Sequence, residues 1–401
     1  NVMLNEAFQE AIEIIEQIER HGYEAYFVGG CVRDSFLKKE IKDIDIATSA
    51  SPDEIQAIFD RVIPVGLEHG TVVVVHKGNA YEVTTFRQDG EYSDQRHPDE
   101  VIFVKNIEDD LKRRDFTINA LALNKNGDLI DLFHGREHLE NRIIKTVGNP
   151  DDRFYEDPLR IVRALRFSSQ LGFDIEPNTL ESMKKLNKEI ETVAVERLTN
   201  EFTRFFQGEY VEKGLDYLIE TGIVHYIPVF KDHPNILNKI PRPVTSFLSF
   251  AEVITLFHFI HQEISIQRWI KAWKCSNQTK REANNLIEAL NDYKENGLND
   301  WLIYRLEQKN FKQFIHLVEL LFKETLSLIT IEDWKKKLPI QSRNDLAIDG
   351  HDLKSIFSDL KSGPWMKDLL EKIERLVVEK KLENEKTVIK EWIICHPPEI
   401  N

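Results

Sequence analysis

Cysteine is scarce in this chain: Cys31, Cys275 and Cys395 are the only three among 401 residues. A set so widely spaced builds neither a disulfide framework nor a zinc-ligand cluster, and it fits a reducing, cytoplasmic compartment. Long apolar runs are missing as well. None approaches the ~20 residues that a bilayer-spanning helix requires, and the opening Asn1-Val2-Met3 carries no secretory-signal pattern. No internal repeat or low-complexity tract interrupts the sequence. Positive charge is in deficit, 53 Lys and Arg against 68 Asp and Glu, for a formal net charge of −15. This excludes a uniformly basic nucleic-acid binder. A local basic track is not excluded, because net charge governs solubility and steering while RNA needs only local contacts. What is present, 41% hydrophobic and 30% charged residues, is a globular composition. The length exceeds one ordinary core, so roughly two to four domains are expected.

The periodicity changes once along the chain. Up to about residue 150, strand-like segments (Phe27-Val28, Ile44–Ile46, Thr71–Val75, Tyr81–Phe86, Val101–Val104) alternate with helical ones, and Ser51-Pro52-Asp53-Glu54 has the form of a capping box. Beyond Asp151 strand signals nearly vanish and amphipathic spacing continues to the C-terminus. Candidate linkers lie at Gly148–Pro150, Ile227–Pro243 and Leu338-Pro339. The architecture expected is a mixed α/β head followed by an all-helical remainder.

Chemistry concentrates near the N-terminus. In Tyr26-Phe-Val-Gly-Gly-Cys-Val-Arg-Asp34, Val28 ends a buried strand and Gly29-Gly30 turns into a helix. A turn without side chains at that point lets backbone N–H groups approach a phosphate, and Arg33 adds a guanidinium able to fork onto its oxygens. Next comes Lys42-Asp-Ile-Asp-Ile-Ala47. In an extended segment Asp43 and Asp45 share a face while Ile44 and Ile46 share the other. Paired carboxylates repel unless neutralised, which a hard divalent cation such as Mg²⁺ does well. Either pattern alone is ordinary, a turn or a solvated acidic pair. Together they are the equipment of nucleotidyl transfer.

Two further clusters follow. Arg113-Arg-Asp-Phe-Thr-Ile-Asn-Ala120 mixes guanidinium, carboxylate, hydroxyl and amide around apolar residues. It suits a helix with one face toward a sugar-phosphate, although on the residues alone a surface helix with a charge pair is the favoured reading. Glu156-Asp-Pro-Leu-Arg160 opens a helix in which Arg160, Arg163 and Arg166 form a stripe, with no matching acids on it. Such a stripe makes sense if an anionic ligand neutralises it; a solvated basic face is the plainer reading. Asp157 and Arg160 together offer an acceptor and a donor, which can mimic the edge of a complementary base.

In strand–turn–helix–strand context, the first pair of motifs resembles the signature of the DNA polymerase β nucleotidyltransferase superfamily. The Gly-Gly-x-Val-Arg-Asp form resembles the class II CCA-adding tRNA nucleotidyltransferases of Bacillus type and the bacterial poly(A) polymerases, over roughly residues 20 to 205. The resemblance implies an α+β fold: a polymerase β-like head (1–148) with a mixed sheet, then a helical neck (149–208), body (209–330) and tail (331–401). It implies template-independent addition of CCA to the tRNA 3′ end from CTP and ATP, in the cytoplasm, with release of pyrophosphate. Asp43 and Asp45 would be the catalytic, Mg²⁺-binding carboxylates. Gly30, Arg33, Arg114, Asp115, Asp157, Arg160, Arg163 and Arg166 would bind the nucleotide, with Asp115 on the ribose hydroxyls and Asp157 and Arg160 selecting the base. Glu82 is a further candidate carboxylate.

The polar stretch Arg87–Pro98 resembles the loop with which such enzymes switch to ATP, and Glu196–Glu201 resembles the family's last motif, a support for the neck. Pro64–Thr71 stands where bacterial poly(A) polymerases carry a basic element, which favours CCA addition. An A-adding enzyme acting on CC-ended tRNA is the nearest alternative. A non-catalytic RNA-binding helical protein is the alternative of another class. The tRNA contacts would come from the helical half, where Arg268, Lys271, Lys274, Lys280 and Arg281 interleave with Trp269 and Trp273, a pattern equally suited to a solvated helix face. The resemblance leaves the oligomeric state open, a homodimer among the forms it allows. His351-Asp352 lacks the upstream His and distal Asp of a phosphohydrolase and is expected to start a helix.

Overall fold

A computed structural model describes residues 4–89 and 101–400. The chain divides into two compact units, one of residues up to Lys239 with Ala272–Lys274, the other of Ile240–Lys271 with Cys275 onward.

The first unit begins with helix α1 (Glu6–Arg20), capped by the Asn5 side chain. Its Phe8, Ala11, Ile14, Ile15 and Ile18 recur at helical spacing and are buried. A seven-stranded sheet follows, built from β1 (Ala25–Val28), β2 (Asp45–Thr48), β3 (Val62-Ile63), β4 (Thr71–His76), β5 (Asn79–Thr85), β8 (Leu121–Leu123) and β9 (Leu129–Asp131) in the order β3-β4-β5-β2-β1-β8-β9. Within this sheet, among the described residues, only the β2–β5 pair is parallel. The β4–β5 hairpin turns through Lys77 and Gly78, both at positive φ, the conformation that matches strand twist in a two-residue loop. A small ribbon of β6 (Arg87–Asp89) and β7 (Val101–Phe103) stands apart from the sheet. Thus the polar stretch expected as a loop from Arg87 begins as a strand, and its remainder to Pro98 lies outside the described residues.

Between and after the strands lie α2 (Gly30–Phe36), α3 (Pro52–Ile58), α4 (Ile107–Lys112) and α5 (Gly135–Glu140). Ser51 and Glu54 form the expected capping box of α3. Beyond the sheet the unit is almost wholly helical, with α6 (Pro150–Glu156), α7 (Leu159–Leu171), α8 (Pro177–Lys185) and α9 (Val195–Phe206). Helices α7 and α9 pack closely enough that a Cβ on Gly208, just past α9, would lie 2.0 Å from Ser169 Oγ. Ser169 Oγ also donates to the carbonyl of Phe205, which anchors the end of α9 on α7.

The second unit is helical, from Phe250–Ile260 through Asn277–Asn296 to Lys386–Cys395. Trp269 is buried, stacked on Phe257 at 5.6 Å, so this aromatic of the basic track faces inward. His351-Asp352 starts a helix, Asp352 completing a capping box with Asp349. No helix among the described residues is long and apolar enough to cross a membrane.

Candidate active site

Strand register assembles the first part of the site. Val28 pairs with Asp45 across β1–β2, so the glycine turn leaving β1 and the carboxylates entering β2 meet at one end of the sheet. Gly29 sits at φ 73°, ψ −141°, a conformation that glycine tolerates and other residues rarely adopt. A Cβ there would lie 3.5 Å from Arg114 Nη1 and 3.9 Å from Asp45 Oδ2; one on Gly30 would lie 3.4 Å from Arg33 Nη2. The turn therefore leaves room beneath two guanidinium groups and a carboxylate. Strand β2 begins only at Asp45, so Asp43 precedes it in irregular chain, exposed, rather than sharing the strand as expected. Burial pushes the Asp45 carboxyl up to about 6, aided by Glu82 and Asp43 and opposed by Arg114. Glu82 owes its effect to register, opposite Asp45 on the parallel strand β5.

The second cluster is a turn, not the helix that its composition suggested. Helix α4 ends at Lys112, and Phe116 is extended, bridging to Thr146, before a single 3₁₀ turn over Thr117–Asn119. Local hydrogen bonding wins over helix here. Asp115 Oδ1 accepts from the Phe116 N–H at 2.7 Å and from Asn119 Nδ2 at 3.2 Å, and Thr117 N–H donates to the Lys145 carbonyl. Arg153 on α6 donates to the carbonyls of Arg113 and Arg114, tying the turn to the helices. Asp110, buried on α4, pairs with Arg113 at 3.4 Å and Arg114 at 3.1 Å. Its own burial opposes ionisation, yet the two guanidinium groups hold its carboxyl below the usual range.

The arginine stripe on α7 departs most from expectation. Arg160, Arg163 and Arg166 are not left to repel one another, because acids from other elements match them. Arg160 pairs with Glu156 at 3.0 Å and approaches Asp89 of β6 at 3.6 Å. Arg163 pairs with Asp115 at 2.6 Å and with Glu201 of α9 at 3.4 Å, and Glu201 also pairs with Arg166. Burial works against charge on Asp115, but Arg163 outweighs it and keeps that carboxyl far below the ordinary range. Phe167 lies under three of these cations, with Arg166, Arg33 and Arg163 at 4.3, 5.1 and 5.3 Å from its ring centre. Asp157, between α6 and α7, accepts from Arg197 of α9 at 3.0 Å and from the Leu159 N–H at 3.2 Å.

These groups line one open cavity of about 900 Å³. Asp43, Asp45, Gly30, Arg33, Arg114, Asp115, Asp157, Arg160, Arg163 and Arg166 all border it, whereas Glu82 does not. Asn119, Arg197 and Glu201 stand within the quoted motifs but were not assigned to the site by sequence. Asn119 connects Arg33, whose Nη1 donates to it at 2.5 Å, with Asp115. Glu201 stands in the quoted motif on α9, but its partners are distant in sequence. Asp110 had a local signal, the i,i+3 and i,i+4 spacing to Arg113 and Arg114.

The fit to a divalent cation rests on the Asp43 and Asp45 pair. Asp45 is a carboxylate that burial and neighbouring acids make reluctant to ionise, and a cation beside it would reverse that penalty. Among the described residues no group of three or more His, Cys, Asp or Glu side chains forms a metal cluster, so water and ligand oxygens would complete a shell on two carboxylates, as suits Mg²⁺.

Residues 25–145 match the family model described as the poly A polymerase head domain. Residues 172–233 match the probable RNA and SrmB-binding site of polymerase A, and residues 246–393 a putative second domain of tRNA nucleotidyltransferase. A CCA-adding enzyme of Oceanobacillus iheyensis is 48% identical over 400 residues, covering 100% of both chains. One from Anoxybacillus flavithermus is 42% identical over 98% of both. The structure resembles a Bacillus stearothermophilus CCA-adding enzyme in complex with CTP, at 36% identity, 98% coverage of both chains and a TM-score of 0.87. The chain belongs to the CCA-adding enzymes.

Proposed function

We propose that the protein extends the 3′ end of tRNA with C, C and A, taking CTP and ATP as substrates and releasing pyrophosphate. The observation that carries this reading is the convergence of the glycine turn, the Asp43 and Asp45 carboxylates and the Asp157–Arg160 pair on one cavity. The relatives' shared description as CCA-adding enzymes supports full CCA addition over A-only addition, and the intact carboxylates support catalysis over mere RNA binding. The domain reading accompanies it: head to 148, neck to 208, then body and tail.

Asp43 and Asp45 would hold Mg²⁺, which when bound supplies charge neutralisation on the triphosphate and acidifies the attacking hydroxyl. Gly29 and Gly30 present backbone N–H groups to the phosphates, and Arg33 and Arg114 meet their charge. Asp115, fully ionised, is the acceptor for ribose hydroxyls; to serve it must share its oxygens with Arg163. Asp157 and Arg160 read the base edge, each held from behind by a neighbour, Arg197 and Glu156. No template strand is needed, because the protein offers the donor and acceptor itself.

The test is a transcript of tRNA lacking its CCA end, incubated with CTP and ATP and resolved at single-nucleotide steps. Addition of three nucleotides, in the order C, C, A, is expected. Addition of adenosine alone, and only to CC-ended transcripts, would replace this reading with A-addition.

A further inference from the structure

The contacts along α7 give the cavity a direction. At one end Arg160 stands beside Asp157, the base-reading pair. One turn on, Arg163 bonds Asp115, the ribose acceptor. Another turn brings Phe167, over which Arg33 of the phosphate-binding turn lies at 5.1 Å. Base, sugar and phosphate thus follow one another along the helix axis. The next residue facing the cavity is Gln170, about 15 Å from Arg160 by helical rise, the length scale of an extended nucleoside triphosphate.

On α9, Arg204 lines the same cavity, together with Gln207 just beyond the helix. Arg204 differs from every other arginine there. Arg33, Arg114, Arg160, Arg163, Arg166 and Arg197 each have a protein carboxylate within 3.4 Å, as has Arg113. Arg204, exposed, has none among the described residues. Its charge instead bears on Arg166, whose guanidinium is lowered to about 10 by burial first, then by the cations Arg163 and Arg204. Arg166 in turn donates to Gln170 Oε1 at 3.2 Å, which leaves the Gln170 amide N–H groups available to an acceptor. Arg204 beside the already paired Arg166, with an amide donor at the end of a phosphate axis, offers a place for one more anion.

We propose that Arg204, with Gln170, forms the subsite for the terminal phosphates of the incoming nucleotide and for the pyrophosphate that departs. In the reaction the RNA 3′ oxygen forms its bond to the α-phosphorus and loses its proton to solvent. The bond from the α-phosphorus to the bridging oxygen breaks, and its electron pair goes to pyrophosphate. Arg204 meets that developing charge. This assignment rests on the nucleotidyl-transfer reading, and the measurements separate the two.

The full-length protein is compared with Arg204→Gln and Arg204→Lys, for product inhibition by inorganic pyrophosphate during CTP addition and for direct pyrophosphate binding with Mg²⁺ by calorimetry. Arg204→Gln should weaken both by ~10-fold, the loss of one charge-assisted hydrogen-bonding group, while Arg204→Lys should recover most of it. Binding of CMP, which lacks the terminal phosphates, should be unchanged. Arg204 is exposed, so the melting temperature should not move. Unaltered pyrophosphate inhibition and binding in Arg204→Gln would overturn the proposal, and a raised KM for tRNA with unaltered pyrophosphate binding would reassign Arg204 to the primer. Failure of the wild-type protein to extend tRNA would instead strike at the reading beneath it, whatever the pyrophosphate isotherms show.

Discussion

The carboxylate of Asp157 is gripped by Arg197, Nη2 lying 3.0 Å from Oδ2 across the gap between α9 and the α6–α7 junction. Asp157 is therefore aimed by a helix some forty residues away in sequence, while the Leu159 N–H holds its other oxygen. If Asp157 reads the base edge as proposed, discrimination between bases would depend on that aim. Asp157→Ala is expected to relax selection against UTP and GTP by about 1–3 kcal/mol, roughly 5- to 150-fold, with a smaller effect on triphosphate affinity. Arg197→Met should relax it in the same direction but less. A misincorporation assay with each nucleotide alone measures both, and unchanged selectivity in Asp157→Ala would return this pair to a purely structural role.

Asp43→Ala and Asp45→Ala are each expected to lower nucleotide addition at least ~10³-fold, because charge neutralisation and hydroxyl activation are lost together. Chelation of divalent cations should do the same to the wild type, with recovery on adding Mg²⁺. Far-ultraviolet dichroism and melting should show the fold retained, since Asp43 is exposed and Asp45 only half-buried at the strand end. Near-normal incorporation by either variant would sink the assignment.

Gly29→Ala places a methyl group in a backbone conformation that costs an L-residue of order 1–3 kcal/mol and directs it at Arg114, 3.5 Å away. The expected result is a KM for CTP and ATP raised ~10-fold or more, beyond any loss of stability. Steady-state kinetics beside a denaturation curve distinguishes the two contributions.

Asp110 supplies the pH-dependent case. Its carboxyl is depressed below the ordinary Asp value of 3.8 in the folded protein by Arg113 and Arg114, against its own burial. Stability from a depressed carboxyl is fully present above the unfolded value and is lost as pH falls through the folded one. Asp110→Asn leaves two guanidinium groups without their counter-ion and should cost about 3 kcal/mol at pH 7. The gap between variant and wild type should narrow below about pH 4 as the wild-type carboxyl takes up its proton. Urea denaturation of both proteins at several pH values reads the gap directly, and a gap independent of pH would refute the linkage.

Much of the site was legible in sequence because its motifs are local. Gly29-Gly30 and Asp43/Asp45 meet through one antiparallel pairing, and the face that alternation gave to Ile44 and Ile46 is buried. What escaped was set by tertiary contact. Nothing near Arg163 or Arg166 announces Glu201, 35 residues from Arg166 and on another helix. The turn at Arg113–Asn119 looked helical because composition does not reveal that Asp115 would bond its own backbone. Asp43 fell outside its strand because the pairing with β1 ends where Val28 meets Asp45 and the chain turns at Gly29, a limit that alternation alone does not mark.

The prior occupation of the cleft's guanidinium groups by Asp110, Asp115, Glu156, Asp157 and Glu201 has a bearing on turnover. A triphosphate arriving there trades places with acids already in contact, and the gain at each arginine is the difference between two ion pairs. Attraction of that kind is modest and weakly sensitive to added salt. A catalyst that takes one nucleotide and then a different one is served by such a loose hold: succession of substrates depends on none of them being kept.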